Sequence, residues 1–227
     1  MTPKQLTGQT DTHLESVTVG QKAFLVHPLV SQDLLALKQA ADGAGFNFNI
    51  TSGFRDFERQ LDIWNRKMSG QAEVLGDDST PLNLDSLTEE QKIFAILRWS
   101  ALPGGSRHHW GTDFDVFDRS ALPTGMTLKL EPWEYLTGHQ AHFYQWLTVH
   151  LAEFGFFFPY QQDKGGVACE PWHISHKTTA QLCLEQLTCE QLAKQLDQTP
   201  LLGKQAVQAH LTQVYNQYIT NISQPEF

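Results

Sequence analysis

The chain has 227 residues, 41% of them hydrophobic, so it is long and apolar enough for one substantial core. Its formal net charge of -9 at pH 7 argues against nucleic-acid binding, for which a basic face is the usual footprint. No stretch approaches the roughly 20 consecutive apolar residues of a membrane-spanning helix. Composition therefore predicts a globular protein with neither a nucleic-acid nor a membrane partner.

The N-terminus and the cysteines bear on the compartment. Residues 1–10 lack the apolar run and the small-residue cleavage site of a secretory signal. The three cysteines, Cys169, Cys183 and Cys189, are too sparse for a disulfide scaffold and favour a reducing compartment. We expect a cytoplasmic protein, with a periplasmic location or export by another route as the alternatives.

The first half of the chain is predicted to alternate between helices and strands. Ser31 can cap the first helix, and Thr88 with Gln91 forms a capping box for the third. The predicted elements are a helix over 26–45, a half-buried strand over 46–51, a helix over 56–68, a loop over 69–87 and a helix over 88–99.

The second half begins with a Pro-Gly-Gly turn at 103–105. The elements predicted after it are a strand over 112–118, an irregular excursion over 119–138, a helix over 142–154, an aromatic strand over 155–160 and helices over 179–196 and 203–222. The excursion is a candidate lid or cleft wall.

Two short segments, 106–115 and 170–173, carry the residue types of a hydrolytic zinc site. His108, Asp115 and His173 can be three metal ligands, which is the usual number in a catalytic zinc site with an open fourth position. Glu170 can be the carboxylate that acts on water.

The spacing of these residues requires a break in regular structure. His108 and Asp115 are seven residues apart and would face opposite sides of an uninterrupted strand. Gly111 lies where a turn or bulge is least costly. The segment 170–173 has the same difficulty and contains a proline, which favours an irregular or edge position.

Each of these residues also has an ordinary interpretation. A lone histidine is more often hydrogen-bonded or exposed than a ligand. Asp115 can belong to the solvated face of an edge strand, and Glu170 can lie in a surface turn. Arg55 can form a surface ion pair with Asp56 or Glu58. Only the joint pattern favours a site.

That joint pattern resembles the zinc D-alanyl-D-alanine carboxypeptidases and their L,D-carboxypeptidase relatives, the VanY-like, peptidoglycan-trimming branch of the M15 metallopeptidases. Three motifs of the family occur here in the family's order, between about residues 26 and 175. They read Ser52-Gly53-Phe54-Arg55 followed by Gln60, then Ser106-x-His108-x-x-Gly111-x-x-x-Asp115, then Glu170-x-x-His173.

The resemblance implies a role for each matching residue. His108, Asp115 and His173 are implied as ligands of one Zn²⁺, although two histidines and a carboxylate also suit non-haem iron. Glu170 is implied as the general base. Arg55 is implied as the anchor for the substrate's terminal carboxylate, which suits the fixed fork of a guanidinium. Further hydrogen bonds, to the scissile peptide or to that arginine, are implied for Ser106 and Gln60.

Two positions depart from the family's pattern. Asp56 replaces the usual serine after the arginine, which puts a hydroxyl contact there in doubt. Asp113 replaces a small residue, so it can accept a hydrogen bond from a ligand histidine or simply be exposed. His109 and His176 lie near the ligand histidines but outside the family's motifs.

Taken together, the sequence predicts an α+β fold with a small, mainly antiparallel sheet that carries the zinc site, flanked by helices. The predicted division is an N-terminal extension (1–25), a zinc peptidase domain (26–178) and a helical C-terminal tail (179–227). The expected activity is removal of the C-terminal D-alanine from peptidoglycan stem peptides. The alternatives are an L,D-carboxypeptidase acting on tetrapeptides, a D,D-dipeptidase, a lysin endopeptidase and a zinc-binding module without catalysis.

Overall fold

A four-stranded antiparallel sheet lies at the centre of the protein, whose computed structural model describes residues 1–77 and 79–224. Its strands are β3 (Phe48–Ser52), β4 (Asp113–Asp118), β5 (Phe156–Phe157) and β6 (His173–His176), in the order β3-β4-β6-β5. The two middle strands, β4 and β6, therefore lie side by side and hold two of the three predicted metal ligands, Asp115 and His173.

A separate β-hairpin precedes this sheet. Its strands, β1 (Glu15–Val19) and β2 (Lys22–Val26), pair in antiparallel register across a turn at Gly20. The predicted helix over 26–45 therefore starts too early, because residues up to Val26 pair with β1. Ser31 is the first residue of the helix rather than its cap, and its hydroxyl donates a hydrogen bond to Glu15.

The helices surround the two sheets. They are α1 (Pro3–Leu6), α2 (Ser31–Gly43), α3 (Phe57–Met68), α4 (Glu89–Leu97), α5 (Pro132–Leu136), α6 (Ala141–His150), α7 (Lys177–Gln186), α8 (Cys189–Asp197), α9 (Lys204–Ala209) and α10 (Leu211–Val214). Single turns of 3₁₀ helix span Leu84–Ser86, Arg107–Trp110 and Leu151–Phe154, and a π-helical turn spans Tyr215–Ile219.

Several predicted boundaries need correction. The predicted helix over 179–196 is two helices, because the capping box of Thr188 and Gln191 starts α8 afresh. The segment 203–222 is likewise broken, into α9, α10 and the π-helical turn. The aromatic strand over 155–160 is reduced to Phe156–Phe157, and the excursion over 119–138 contains α5.

The hydrophobic interior has two main parts. In one, α2 and α6 pack against the central sheet through buried residues such as Leu34, Phe114 and Leu147. In the other, the C-terminal helices contribute Leu192 and Leu196 to a cluster that also contains residues of α3 and α4. The α+β architecture is thus confirmed, while the division of the chain at residues 25 and 178 stays a prediction. Among the described residues, no helix has the length and apolar character needed to cross a bilayer.

Candidate metal centre and substrate cavity

The pairing of β4 with β6 brings two of the predicted ligands together. Asp115 and His173 are direct partners in the antiparallel register. Side chains alternate along a strand, so Asp113 and Asp115 share one face of β4. Phe114 and Val116 take the opposite face and are fully buried in the core beneath the sheet.

The third predicted ligand, His108, arrives on the 3₁₀ turn that precedes β4. Gly111 ends this turn with a left-handed backbone, φ 67°. The turn packs tightly, because a Cβ at Gly111 would lie 2.5 Å from Cδ2 of Leu14 and 3.0 Å from the backbone nitrogen of His27. This break is what lets His108 and Asp115 face each other despite their spacing.

The three side chains form a group that could hold a metal ion. One ligand atom from each of His108, Asp115 and His173 lies within 4.8 Å of the others, and all three residues are buried. His108 Nε2 is 3.5 Å from Asp115 Oδ2, and His173 Nδ1 is 3.5 Å from Asp115 Oδ1. Among the described residues, the buried Oδ1 of Asp115 has no hydrogen-bond partner. Two imidazole nitrogens and a carboxylate oxygen suit zinc, so the donor set fits this metal.

Glu170 lies beside this group. Its Oε2 is 3.2 Å from His173 Nδ1. Its side chain and the three ligand candidates line one cavity. The backbone of residues 170–173 forms a turn in which the His173 N–H donates to the Glu170 carbonyl at 3.1 Å. Glu170 and His173 are three residues apart, and because they are joined by a turn rather than a regular strand, their side chains can point the same way.

A buried network holds His173 from behind. Its Nε2 lies 3.0 Å from Asp113 Oδ1, and that carboxylate accepts hydrogen bonds from Arg107 Nε at 2.7 Å and Thr112 Oγ1 at 2.6 Å. Arg107 also donates to Ser175 Oγ at 2.6 Å. The contact with Asp113 engages Nε2 and leaves Nδ1 facing Asp115 and Glu170.

Burial and neighbouring charges shift the pKa values of these groups in different directions. Burial lowers the pKa of His108 well below its ordinary value, and the positive charge of Arg55 adds to the effect. Burial raises the pKa of Asp115 to about 6. Burial alone would lower the pKa of His173, but hydrogen bonds with Asp113 and Glu170 raise it to about 10. At neutral pH the metal-free site therefore carries a proton on His173, and an incoming cation must displace it.

The charge of Asp113 is secured by its partners. Burial acts to raise the pKa of Asp113, but Arg107 and the hydrogen bond with His173 hold it well below its usual range. Asp113 is therefore ionised at every pH at which the protein is expected to work. Of the two alternatives for this residue, hydrogen bonding to His173 agrees with the structure and exposure does not.

Arg55 lies where β3 gives way to α3. Its guanidinium donates to Gln60 Oε1 at 2.7 Å and to Ser52 Oγ at 3.0 Å. Its backbone N–H donates to the His108 carbonyl at 3.2 Å, which ties this segment to the 3₁₀ turn. In the described part of the chain it has no ion-pair partner, and Asp56 instead caps α3 by accepting from the Arg59 N–H at 2.7 Å.

The predicted site residues surround one cavity of about 340 Å³. Ser106 is buried and lines the cavity together with Arg55, Glu170 and the three ligand candidates. Gln60 does not line it. Its fully buried amide connects Arg55 to the Ala101 carbonyl, so its position matches the bracing alternative rather than contact with the scissile peptide.

Two other wall residues, Tyr160 and Lys67, carry no motif and were missed from the sequence. Tyr160 packs edge-on against the His173 ring with centroids 5.1 Å apart, and Lys67 also lines the cavity. Trp172, which lies between Glu170 and His173 in the third motif, lines it as well. The predicted loop over 69–87 contributes Leu75 to the wall, and the predicted excursion over 119–138 contributes Lys129 and Leu130. A signal existed only for Lys67, which lies seven residues after Gln60 and hence on the same face of α3.

Three neighbouring residues lie outside the ligand group. His109 Nε2 accepts from the Gly104 N–H at 3.1 Å, and its Nδ1 donates to the Arg55 carbonyl at 2.6 Å. His176 caps α7 by accepting from the Thr179 N–H and contacts Asp33 at 3.0 Å. The Cys169 thiol donates to the Gln161 carbonyl.

The family comparison identifies the protein as a metallopeptidase. Residues 23–179 match the model of the VanY family, described as D-alanyl-D-alanine carboxypeptidase. Because this match covers more than half of the chain, the protein belongs to the VanY D-alanyl-D-alanine carboxypeptidase family, whose members hydrolyse peptides of peptidoglycan.

Sequence relatives agree with this assignment. An uncharacterised protein of Haemophilus influenzae is 38% identical over 123 residues, which cover 52% of this chain and 92% of that protein. A D-alanyl-D-alanine carboxypeptidase of Enterococcus faecalis is 27% identical over 171 residues, 74% of this chain. The match covers 53% of the E. faecalis protein, so this chain corresponds to about half of its length.

Solved structures share the fold. VanYB in complex with D-alanine-D-alanine superposes with a TM-score of 0.51 at 23% identity, covering 80% of this chain and 87% of that one. A mutant of the vancomycin resistance D,D-pentapeptidase VanY in complex with Zn(II) gives a TM-score of 0.51 at 22% identity, covering 86% and 88%.

Proposed function

We propose that this protein is a carboxypeptidase, dependent on one Zn²⁺, that removes the C-terminal D-alanine from a peptidoglycan stem peptide ending in two D-alanines. The observation that carries the proposal is the convergence of three kinds of group on one cavity. These are the ligand group of His108, Asp115 and His173, the carboxylate of Glu170 and the guanidinium of Arg55.

His108, Asp115 and His173 would hold the metal, with Asp113 fixing the orientation of the His173 ring. Zn²⁺ at such a site supplies a Lewis acid that lowers the pKa of water and polarises a peptide carbonyl. The remaining steps belong to the protein's own side chains.

Glu170 moves the proton. Its Oε2 faces the ligand group at 3.2 Å from His173 Nδ1, so it is placed to accept a proton from the attacking water. The same oxygen then passes the proton to the leaving amine, which turns the departing D-alanine into a good leaving group.

Arg55 selects the end of the chain. Two of its five N–H donors are used by Gln60 and Ser52, and the others remain for a carboxylate. Because the substrate's free carboxylate would be bound here, only the last peptide bond would reach the metal and Glu170. Ser106, buried in the cavity wall, is placed to bind the scissile peptide.

Mass spectrometry of two muropeptides, a pentapeptide and a tetrapeptide, tests the proposal. The zinc-loaded protein is incubated with each, with and without a chelator. Loss of one alanine from the pentapeptide alone supports the D,D-carboxypeptidase. Loss from the tetrapeptide would instead establish the L,D activity, and no cleavage of either by the zinc-loaded protein would contradict the assignment.

A further inference from the structure

Two cations that line the cavity lack an anionic partner among the described residues, and the proposed function uses only one of them. The other cationic wall residues are accounted for: Arg107 pairs with Asp113 at 2.7 Å, and Lys129 reaches Glu131 at 4.0 Å. In the described chain, the ammonium of Lys67 has no hydrogen bond or ion pair, and Arg55 donates only to neutral groups.

Lys67 is placed by α3 on the same wall as Arg55. Gln60, Ile63 and Lys67 follow one face of the helix, since residues three, four and seven apart are stacked along it. Gln60 holds the Arg55 guanidinium, while Ile63 and Lys67 line the cavity. Helical side chains tend to lean toward the N-terminus, which for Lys67 is the end of α3 nearer to Arg55. Burial has the larger effect in lowering the pKa of the lysine ammonium, and the two cations are close enough for the charge of Arg55 to lower it further.

The surroundings of Lys67 point to an anion. The residue is half-buried, and burial lowers the pKa of its ammonium while the negative charge of Glu170 acts in the opposite direction. A partly desolvated charge without a partner is unfavourable, and a bound carboxylate would relieve it through a charge-assisted hydrogen bond. The protein as a whole is acidic, with a net charge of -9, so two cavity cations without an anionic partner in the described part of the chain are a local feature of the site.

From this placement we infer that Lys67 is a specificity-determining residue that binds a second carboxylate of the substrate. The inference rests on the proposed function, in which Arg55 takes the terminal carboxylate. It identifies the substrate class as peptides that carry an anionic side chain near the scissile bond in addition to a free C-terminus. Neutral peptides with the same C-terminus would be poorer substrates.

The test compares matched peptides that differ only in this charge. N-acetylated peptides ending in Xaa-D-Ala-D-Ala carry L-glutamate or L-glutamine at Xaa, and a second pair carries D-glutamate or D-glutamine as the final residue. For one of these pairs, the zinc-loaded wild type should favour the glutamate peptide in kcat/KM by about tenfold or more. Lys67→Met should abolish that preference, and Lys67→Arg should restore it.

Lys194→Met provides the control, because Lys194 is exposed and pairs with Glu190 away from the cavity. This variant should keep the wild-type preference. Equal losses on the glutamate and glutamine peptides in Lys67→Met would overturn the inference, because the lysine would then act on the terminal carboxylate or on Glu170. A wild type that treats both members of each pair alike would overturn it too.

Failure of the proposed function remains distinguishable from failure of the inference. If the zinc-loaded wild type cleaves none of the peptides, the carboxypeptidase assignment fails. Calorimetric binding of the same peptides then decides the role of Lys67. Tighter binding of a glutamate peptide, lost in Lys67→Met, supports it, and equal binding refutes it.

Discussion

Glu170 stands beside the candidate ligands without being one of them, and that position distinguishes a catalytic from a purely structural zinc site. A structural site needs no proton acceptor at 3.2 Å from a ligand histidine. The neutral isostere glutamine should therefore spare metal binding and remove proton transfer.

We predict that Glu170→Gln retains one equivalent of zinc and loses about 10²- to 10⁴-fold in kcat. Metal analysis and release of D-alanine are the two measurements. Glu153→Gln, which alters an exposed partner of His150, serves as the control and should behave as the wild type. An active Glu170→Gln enzyme would refute the role of this carboxylate.

Asp113 acts on the metal site through His173. Asp113→Ala should weaken zinc affinity by about 10- to 100-fold, because the ring loses the acceptor that orients it. Asp113→Asn should recover part of the affinity, since an amide oxygen can still accept from Nε2. Competition with a chelating dye measures the affinity.

Asp118 offers a matched control for Asp113. It is buried at the end of the same strand, but it accepts from the backbone of Asn47 and Ser120 and not from a ligand histidine. Asp118→Ala should lower stability without lowering zinc affinity. Equal zinc affinity in Asp113→Ala and the wild type would contradict the orienting role.

The pKa values predict proton release when zinc binds. His173, with its pKa raised to about 10, is protonated in the metal-free protein at pH 7.5 and must lose that proton to become a ligand. About one proton should leave per zinc bound. Affinity should fall as the pH decreases, more steeply below about 6, where Asp115 also takes up a proton.

Calorimetry in buffers with different ionisation enthalpies measures the released proton. If zinc binds at pH 7.5 without releasing a proton, then His173 does not lose a proton to become a ligand, and the prediction is wrong.

At the scale of elements, the turn at Gly111 connects the two halves of the metal motif. The Gly111 carbonyl accepts from the His27 N–H at 2.9 Å, so the turn is also fastened to the end of the β1–β2 hairpin. An alanine there meets both a left-handed backbone and a clash with Leu14 and the backbone of His27.

Gly111→Ala should lower the free energy of unfolding by about 1–3 kcal/mol and weaken zinc binding, because His108 is displaced from Asp115. Gly70→Ala is the matched control, since Gly70 has φ 75° but open space around its would-be Cβ. Urea denaturation compares the two. A loss no larger than that of Gly70→Ala would show that backbone conformation alone, and not packing, is at stake.

Short sequence signals correctly predicted the features that neighbouring residues determine, such as helix caps and turns. The capping box of Thr88 and Gln91 starts α4 as expected, and the break at Gly111 is confirmed by its positive φ. The hairpin of β1 and β2 was missed because its register depends on pairing between strands. At Val26 this pairing overrides the helical spacing from which a helix starting at residue 26 was predicted. The breaks in the C-terminal helices depend on tertiary packing and carried too weak a local signal.

For the candidate site, too, the sequence predicted what its motifs carry and missed what depends on contacts between distant segments. The motifs placed the ligand group, Glu170, Arg55 and Ser106 on one cavity, but their chemical roles remain predictions until they are measured. Arg107 contributes through contacts that span distant segments, as in its bond to Ser175. Such contacts exist only once the sheet has formed.

At the scale of the whole molecule, the C-terminal helices share a hydrophobic cluster with the helix that follows Arg55. Leu196 of α8 and Trp64 of α3 are both fully buried in this cluster, and Trp64 Nε1 donates to the Leu202 carbonyl at 3.0 Å. The C-terminal segment therefore supports the wall of the cavity from behind.

Leu196→Ala should lower the free energy of unfolding by about 2–5 kcal/mol, as expected for a cavity left in a packed core. Leu202→Ala should change it by less than about 0.5 kcal/mol, because that side chain is 46% exposed. Urea denaturation provides both values. Equal, small losses would indicate that the C-terminal helices fold apart from the rest.

The most direct test of the roles of zinc and Arg55 follows a peptide ending in D-Ala-D-Ala by mass spectrometry, in parallel with its C-terminally amidated form. We predict that the zinc-loaded protein releases a single alanine from the free peptide and that a chelator stops the reaction. The amidated peptide should be cut far more slowly, because Arg55 has no carboxylate to bind. Equal cleavage of both peptides, or cleavage that persists in the chelator without bound metal, would contradict these roles.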